Sequence, residues 1–134
     1  MAAAQTTRAT SLTLLIVDDN EALLDLISEI LSCHGHEAVC AQSREEALEK
    51  LDDAAFDAAL VDIWMSERAD GVALAQEIKQ RFPDLPVSYM SGYAEGSLSK
   101  FLPESEHKRV LHKPFRATEI MKFLEEISAK VAVA

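Results

Sequence analysis

Two adjacent carboxylates, Asp18 and Asp19, follow directly on the apolar run LTLLIV. Like charges repel each other and resist burial, so this pair needs a cation or a polar partner. Three more polar residues stand at the ends of apolar runs: Asp62 in LVDIWM, Ser91 in PVSYMS and Lys113 after RVLH. Carboxylates, a hydroxyl and an ammonium group are the side chains that hold a divalent cation and a phosphoryl group.

The hydrophobic pattern predicts the elements that position these residues. Short apolar runs predict five strands, and the segments after them carry apolar residues at helical spacing. The predicted strands cover residues 12–17, 37–41, 58–63, 86–91 and 109–112.

Each strand is followed by a predicted helix. Gly35 stands where a helix C-cap is expected, and Ser43 with Glu46 has the spacing of a capping box. The fourth helix is predicted over 95–102, before Pro103, and is the least regular. The expected inward positions are Leu23, Ile27, Ile30 and Leu31 in the first helix, Ala47, Leu48 and Leu51 in the second, Leu74, Ile78 and Phe82 in the third, and Ile120, Phe123, Leu124, Ile127 and Val131 in the last.

This alternation predicts an α/β fold, a doubly wound five-stranded parallel sheet with helices on both faces. The common strand order is 2-1-3-4-5, a flavodoxin-like arrangement whose ligands bind beyond the carboxyl ends of the strands. All five polar residues would meet at that edge. The three carboxylates suit Mg²⁺, and a carboxylate there can become an aspartyl phosphate. Lys113 and Mg²⁺ would stabilise charge on the transferring phosphoryl group, and Ser91 would donate a hydrogen bond to it.

Composition excludes several function classes. The chain has a net charge of -10, which disfavours direct nucleic-acid binding because phosphate contacts need a basic face. No apolar stretch reaches the roughly 18 residues of a membrane span, and no apolar signal segment opens the chain. We therefore expect a cytoplasmic protein without membrane insertion.

The cysteines offer a weaker metal hypothesis. Cys33 and Cys40 lie near His34 and His36, but their spacing does not match a zinc site. Two buried apolar cysteines in a reduced compartment are the expected alternative.

The pieces IVDDN, LVDIWM followed by DG, MSGYA and HKPF, in this order, resemble the receiver domain of bacterial two-component response regulators. The resemblance covers residues 12–131, leaving an N-terminal tail at 1–11 and a C-terminal tail at 132–134. It also implies a cis peptide bond between Lys113 and Pro114. It implies these site roles: Asp62 as phosphoacceptor, Asp19 as a direct metal ligand and Asp18 as one acting partly through water, the Trp64 backbone carbonyl as a further metal ligand, Ser91 as switch hydroxyl, and Lys113 as phosphate-binding lysine.

The sequence departs from the family at four places. Ser66 stands where the family usually has proline, and the loop SERADG is one residue longer than usual. Val110 replaces the aromatic residue that usually precedes the lysine by three positions. FLPESEHKR lacks the usual Gly–Ala turn. The resemblance implies that partners dock on the face formed by the fourth helix, fifth strand and last helix, and these departures put that route of signalling in question.

The leading hypothesis is a phosphoacceptor switch that takes a phosphoryl group from a histidine kinase or a histidine phosphotransfer protein. It would signal to a downstream protein partner by contact, because no output domain follows the last helix. It would not be an enzyme with a separate substrate, but would assist its own phosphoryl transfer and hydrolysis. The alternative is a constitutive interaction module with the receiver fold, although a degenerate site would normally have lost an acid or the lysine. A flavodoxin-like cofactor binder is disfavoured, since DDNEA would repel a phosphate.

Overall fold

The computed structural model describes residues 11–64, 70–92, 110–113 and 115–133, with side chains for all of these except 70 and 128–133. The predicted helix at 95–102 lies outside these ranges. The described elements are β1 (Thr13–Val17), α1 (Glu21–Cys33), β2 (Glu37–Ala41), α2 (Arg44–Asp53), β3 (Ala58–Asp62), α3 (Asp70–Arg81), β4 (Val87–Ser91), β5 (Val110–His112) and α4 (Ala117–Val133).

The five strands form one sheet in the order β2-β1-β3-β4-β5, and every neighbouring pair is parallel. This confirms the predicted fold class and strand order. The register aligns the carboxyl ends: Val17 pairs with Ala41 and with Val61, while Ser91 pairs with His112. Residues that follow β1, β3 and β5 therefore emerge at one edge of the sheet.

Helices cover both faces of the sheet, as predicted. Alternate residues of a strand point to opposite faces, so Leu15 and Val17 pack with α2 and α3, whereas Leu14 and Ile16 pack with α1 and α4. Burial on both faces explains why the strands are continuous apolar runs instead of alternating ones. None of the described helices has both the length and the apolar character needed to cross a bilayer.

Side-chain caps determine where the first two helices begin. The Asn20 side chain accepts a hydrogen bond from the Leu23 amide at 3.2 Å and caps α1. The Ser43 hydroxyl accepts one from the Glu46 amide at 3.1 Å, as the capping-box spacing predicts. The Glu46 carboxylate reaches back to the Gln42 amide at 2.8 Å, one residue earlier than in the usual box.

Helix α1 ends just before Gly35, as the sequence predicts. Its set of buried residues differs from the predicted set. Gly35 has a φ of +82° just beyond the helix, a left-handed conformation that favours glycine. The fully buried α1 residues are Leu24, Ile27 and Leu31. Leu23 and Ile30, which were expected inside, are only partly buried.

The prediction of two buried cysteines is wrong. Cys33 is exposed in the last turn of α1, and Cys40 is half-buried because β2 is an edge strand. Both are free thiols. Within the described ranges they do not combine with His34 and His36 into a group close enough to share a metal ion, so the zinc hypothesis finds no support.

Candidate functional site

Asp18 is the first residue after β1, and its carboxylate is completely buried. Its amide donates to the Ala41 carbonyl at 3.1 Å, which extends the pairing of β1 with β2 by one residue. One carboxylate oxygen accepts the Asn20 amide at 2.9 Å, and the other lies 2.8 Å from the Lys113 ammonium. Asn20, which the sequence reasoning did not single out, thus both caps α1 and orients Asp18. Its position just before a helical pattern is the signal that could have found it.

Asp62 is the last residue of β3 and only 4% exposed. One of its carboxylate oxygens lies 3.4 Å from the Lys113 ammonium, and the other accepts a long hydrogen bond of 3.4 Å from the Trp64 amide. The Ile63 amide donates to the Met90 carbonyl at 2.9 Å, so the backbone beyond Asp62 is held against β4. Lys113 therefore contacts both buried carboxylates, at the edge where β1 and β3 are neighbours.

The charges of Asp18, Asp62 and Lys113 do not cancel. Burial, and after it the charge of Asp18, raise the pKa of Asp62 from 3.8 to about 6, although Lys113 and the hydrogen bond from the Trp64 amide oppose the rise. Burial by itself lowers the pKa of Lys113, but its hydrogen bond to Asp18 and the charges of both aspartates outweigh that effect and raise it. Lys113 remains a cation at neutral pH, and one cation does not fully compensate two buried carboxylates.

Asp19 is the third acid at this edge, and its side chain is exposed. Carboxylate oxygens of Asp18, Asp19 and Asp62 lie within 4.8 Å of one another. Such a group of oxygens fits a hard divalent cation, because the cation would relieve the repulsion that raises the pKa of Asp62. The donor set and the excess negative charge both suit Mg²⁺.

Ser91 and Trp64 border the three aspartates along the chain. Ser91 ends β4, is 1% exposed, and accepts the Lys113 amide on its backbone carbonyl at 2.6 Å. This bond fixes the backbone of Lys113 beside β4. Trp64 is half-buried, two residues beyond Asp62. The structure thus brings Asp18, Asp62 and Lys113 into direct contact and places Ser91 and Trp64 on the adjoining backbone.

Gly71 allows helix α3 to pack close to the backbone of Asp62, a role that the DG pair in the sequence does not establish. Its amide donates to the Ile63 carbonyl at 3.1 Å. A Cβ atom at this position would collide with the backbone carbonyl of Asp62. The first turn of α3 can approach Asp62 this closely only because residue 71 has no side chain.

Three of the four departures from the family pattern lie outside the described residues, namely Ser66, the lengthening of its loop and the turn before β5. Pro114, with its expected cis bond, lies outside them as well. Val110 is described: it is half-buried and packs in the same core cluster as Tyr89, its partner in the sheet register. The buried Tyr89 hydroxyl lies 3.1 Å from the Lys79 ammonium. A buried aromatic side chain therefore does exist beside Val110, but on β4.

Comparison with known proteins decides the family. The model of the family described as "Response regulator receiver domain" matches residues 14–125, which is most of the chain. The chain belongs to the response regulator receiver domains. This receiver domain is 35% identical over 83 residues to a putative NtrX-like response regulator of Rickettsia felis, covering 61% of this chain and 18% of the relative. It is 30% identical over 122 residues to the sensor kinase CckA of Brucella abortus, covering 90% of this chain and 13% of the kinase.

A solved structure agrees with the same assignment. The receiver domain of NtrX from Brucella abortus superposes with a TM-score of 0.75 at 33% identity, covering 87% of this chain and 98% of that one. The chain spans less than a fifth of the length of the two curated relatives, so their full activities belong to much longer proteins. The family is the phosphoacceptor component of two-component signalling, whose members interact with histidine kinases.

Proposed function

We propose that this receiver domain is a phosphoacceptor switch in which Asp62 takes a phosphoryl group from the phosphohistidine of a histidine kinase or a histidine phosphotransfer protein. The observation that carries the proposal is the contact of one ammonium, Lys113, with two buried carboxylates at the carboxyl edge of the sheet. Burying two acids beside one cation is costly for stability. A fold that keeps this arrangement is better explained by chemistry at Asp62 than by packing.

In the proposed step, a carboxylate oxygen of Asp62 attacks the phosphorus atom. The P–N bond of the phosphohistidine breaks, its electron pair stays on the imidazole nitrogen, and a P–O bond forms to Asp62. Since the pKa of Asp62 is about 6, most of the carboxyl is ionised and nucleophilic at neutral pH. Lys113 is already 3.4 Å from Asp62, so its positive charge lies where the transferred phosphoryl oxygens would arrive.

Asp18, Asp19 and Asp62 are the residues that would hold Mg²⁺, with the backbone carbonyl of Trp64 as a further ligand. When bound, Mg²⁺ supplies positive charge that offsets the negative charge of the phosphoryl oxygens. The buried hydroxyl of Ser91 would move toward the transferred phosphoryl group and donate a hydrogen bond to it. That movement at the end of β4 is the proposed start of the signal.

The proposal also covers how the domain passes its signal on. The domain is not an enzyme with a separate substrate, and it assists the transfer and hydrolysis of its own phosphoryl group. It signals to a downstream protein by contact, without binding nucleic acid directly, which the net charge of -10 supports. A cytoplasmic location agrees with the two free cysteines, Cys33 and Cys40.

The test is intact-mass spectrometry after incubation with Mg²⁺ and the small phosphodonor phosphoramidate. The expected result is a gain of one phosphoryl group in the parent and none in Asp62→Asn. Asp52→Asn, the same substitution at an exposed position on α2, is the matched control and should gain the group as the parent does. A folded parent that gains nothing under these conditions would favour the alternative, a constitutive interaction module that is not usefully phosphorylated.

A further inference from the structure

A second concave surface lies at the opposite edge of the sheet from the aspartates. It is a cavity of about 890 Å³ lined by residues 51–57, which lead from α2 into β3, and residues 82–86, which lead from α3 into β4. The two segments are neighbours because β3 and β4 are paired, and the Ala59 amide donates to the Pro86 carbonyl at 2.9 Å. We call this surface the amino-edge groove.

The floor of the amino-edge groove is apolar. Phe56, Phe82 and Leu85 are half-buried there and pack against the core cluster between the sheet and helices α2 and α3. Their remaining accessible faces line the cavity. A concave apolar surface of this volume is of the size that binding sites have.

The rim of the amino-edge groove is acidic. Four of the twelve lining residues are aspartates, and none of the twelve is Lys, Arg or His. Asp57 has a structural role, because its carboxylate accepts the Thr13 amide at 2.8 Å. Asp52, Asp53 and Asp84 are exposed. Three carboxylates therefore surround an apolar floor and face solvent.

Two further features add negative potential to the groove. Helices α2 and α3 both end at it, at Asp53 and Arg81, and the C-terminal end of a helix carries partial negative charge, which Lys50 in the last turn of α2 partly offsets there. The basic residues in the last turn of α3 are engaged elsewhere: Arg81 lies 3.4 Å from the Glu77 carboxylate, and Lys79 contacts Tyr89. The basic residues in the last turn of α3 therefore do not neutralise the aspartates of the rim.

We propose that the amino-edge groove is a docking site for a basic, apolar protein segment, one in which Leu or Phe side chains fill the floor and flanking Lys or Arg side chains meet the rim. Charge complementarity selects this occupant over an acidic or neutral one. Because the groove and the phosphoacceptor edge lie at opposite ends of the strands, a partner bound in the groove does not cover the edge that holds Asp62. Docking in the groove therefore needs no contact with Asp62 and goes beyond the switch function proposed above.

The test uses the full chain and a fluorescently labelled short peptide in which Leu and Phe alternate with Lys, together with a version carrying Gln in place of Lys. Fluorescence anisotropy measures affinity, and amide chemical shifts locate the binding site. The Lys peptide is expected to bind at least about tenfold more tightly than the Gln peptide, since several exposed charge pairs act together. Shift changes are expected in 51–57 and 82–86.

A matched pair of variants tests the location. Ala55 is exposed and lines the groove, whereas Ala22 is exposed on α1 on the other face of the sheet. Ala55→Lys should weaken binding of the Lys peptide about tenfold, and Ala22→Lys, with the same net charge, should change it less than about twofold. The proposal is overturned if the shifts concentrate at the aspartates of the opposite edge, if the two peptides bind equally, or if the two variants behave alike. It is also overturned, in favour of a second copy of the chain, if the parent is a dimer in sedimentation and Ala55→Lys is a monomer.

Discussion

Replacing Asp62 by Asn is expected to stabilise the folded domain in the absence of a divalent cation. Burial and the charge of Asp18 raise the pKa of Asp62 from 3.8 to about 6. The folded state therefore binds this proton more tightly than the unfolded chain does, so the stability contributed by this carboxyl falls as the pH rises between those two values. Asn has nearly the same shape and carries no charge, so the variant avoids this loss.

The size of the effect follows from the pKa difference. A rise of the Asp62 pKa from 3.8 to about 6 corresponds to about 3 kcal/mol of unfolding free energy. Solvent screening removes little of this, because Asp62 is only 4% exposed. Asp62→Asn should thus be about 3 kcal/mol more stable than the parent above about pH 6.5. Near pH 4, where the parent carboxyl is protonated in the folded state, the gain should shrink to about 0.6 kcal/mol.

Urea unfolding of both proteins with a metal chelator, at several values between about pH 4 and about pH 7.5, measures the difference. Asp52→Asn, the same substitution at an exposed position on α2, serves as the control for the loss of one carboxylate. A variant less stable than the parent at neutral pH, or a gain that is the same at every pH, would show that the charge on Asp62 does not destabilise the folded state.

Three further predictions concern Gly71, His36 and the site for a divalent cation. Gly71→Ala should lower the unfolding free energy in urea, because the new Cβ would meet the Asp62 carbonyl; a rise of about 0.4–1 kcal/mol, usual for Gly→Ala at an unstrained site, would contradict this. The His36 ring accepts the Leu12 amide at 3.0 Å, and burial with the charge of a nearby histidine lowers its pKa below 6.5. The stability it contributes should be complete above about pH 6.5 and lost as the pH falls through the lowered value, and His36→Gln should lack this part of the pH dependence of the urea midpoint. Mg²⁺ at about 100 times its dissociation constant should raise the stability of the parent by about 2.7 kcal/mol; Asp19→Ala should lose most of that gain in thermal unfolding, and an unchanged gain would place the cation elsewhere.

The sheet order and the site edge could be predicted because both follow from rules that act on whole segments. Five apolar runs, each followed by a helical pattern, leave few parallel arrangements, and the carboxyl ends of parallel strands share an edge. The bounds predicted for β2 agree with the structure at both ends. The meeting of Asp18, Asp62 and Lys113 could be expected from their strand-end positions alone.

Finer features could not be predicted, since they depend on helix rotation and rotamers. The first helix is rotated so that Leu24 is fully buried and Leu23 only partly, and both positions fit an apolar stripe. The family resemblance assigns Lys113 to the phosphate, whereas the Lys113 ammonium is closer to Asp18, at 2.8 Å, than to Asp62, at 3.4 Å. The close approach of Gly71 to the Asp62 backbone depends on how α3 packs on the sheet, which the DG pair does not encode.

The proposed switch depends on Asp62 being the residue that carries the phosphoryl group. Borohydride reduces an acyl phosphate at the carboxyl carbon, and the aspartate that carried it becomes homoserine, which peptide mass spectrometry locates. After phosphorylation of the parent with phosphoramidate and Mg²⁺, homoserine is expected at position 62 and at no other aspartate, Asp18 and Asp19 included. Homoserine at either of those neighbours, with an unmodified Asp62, would contradict the account.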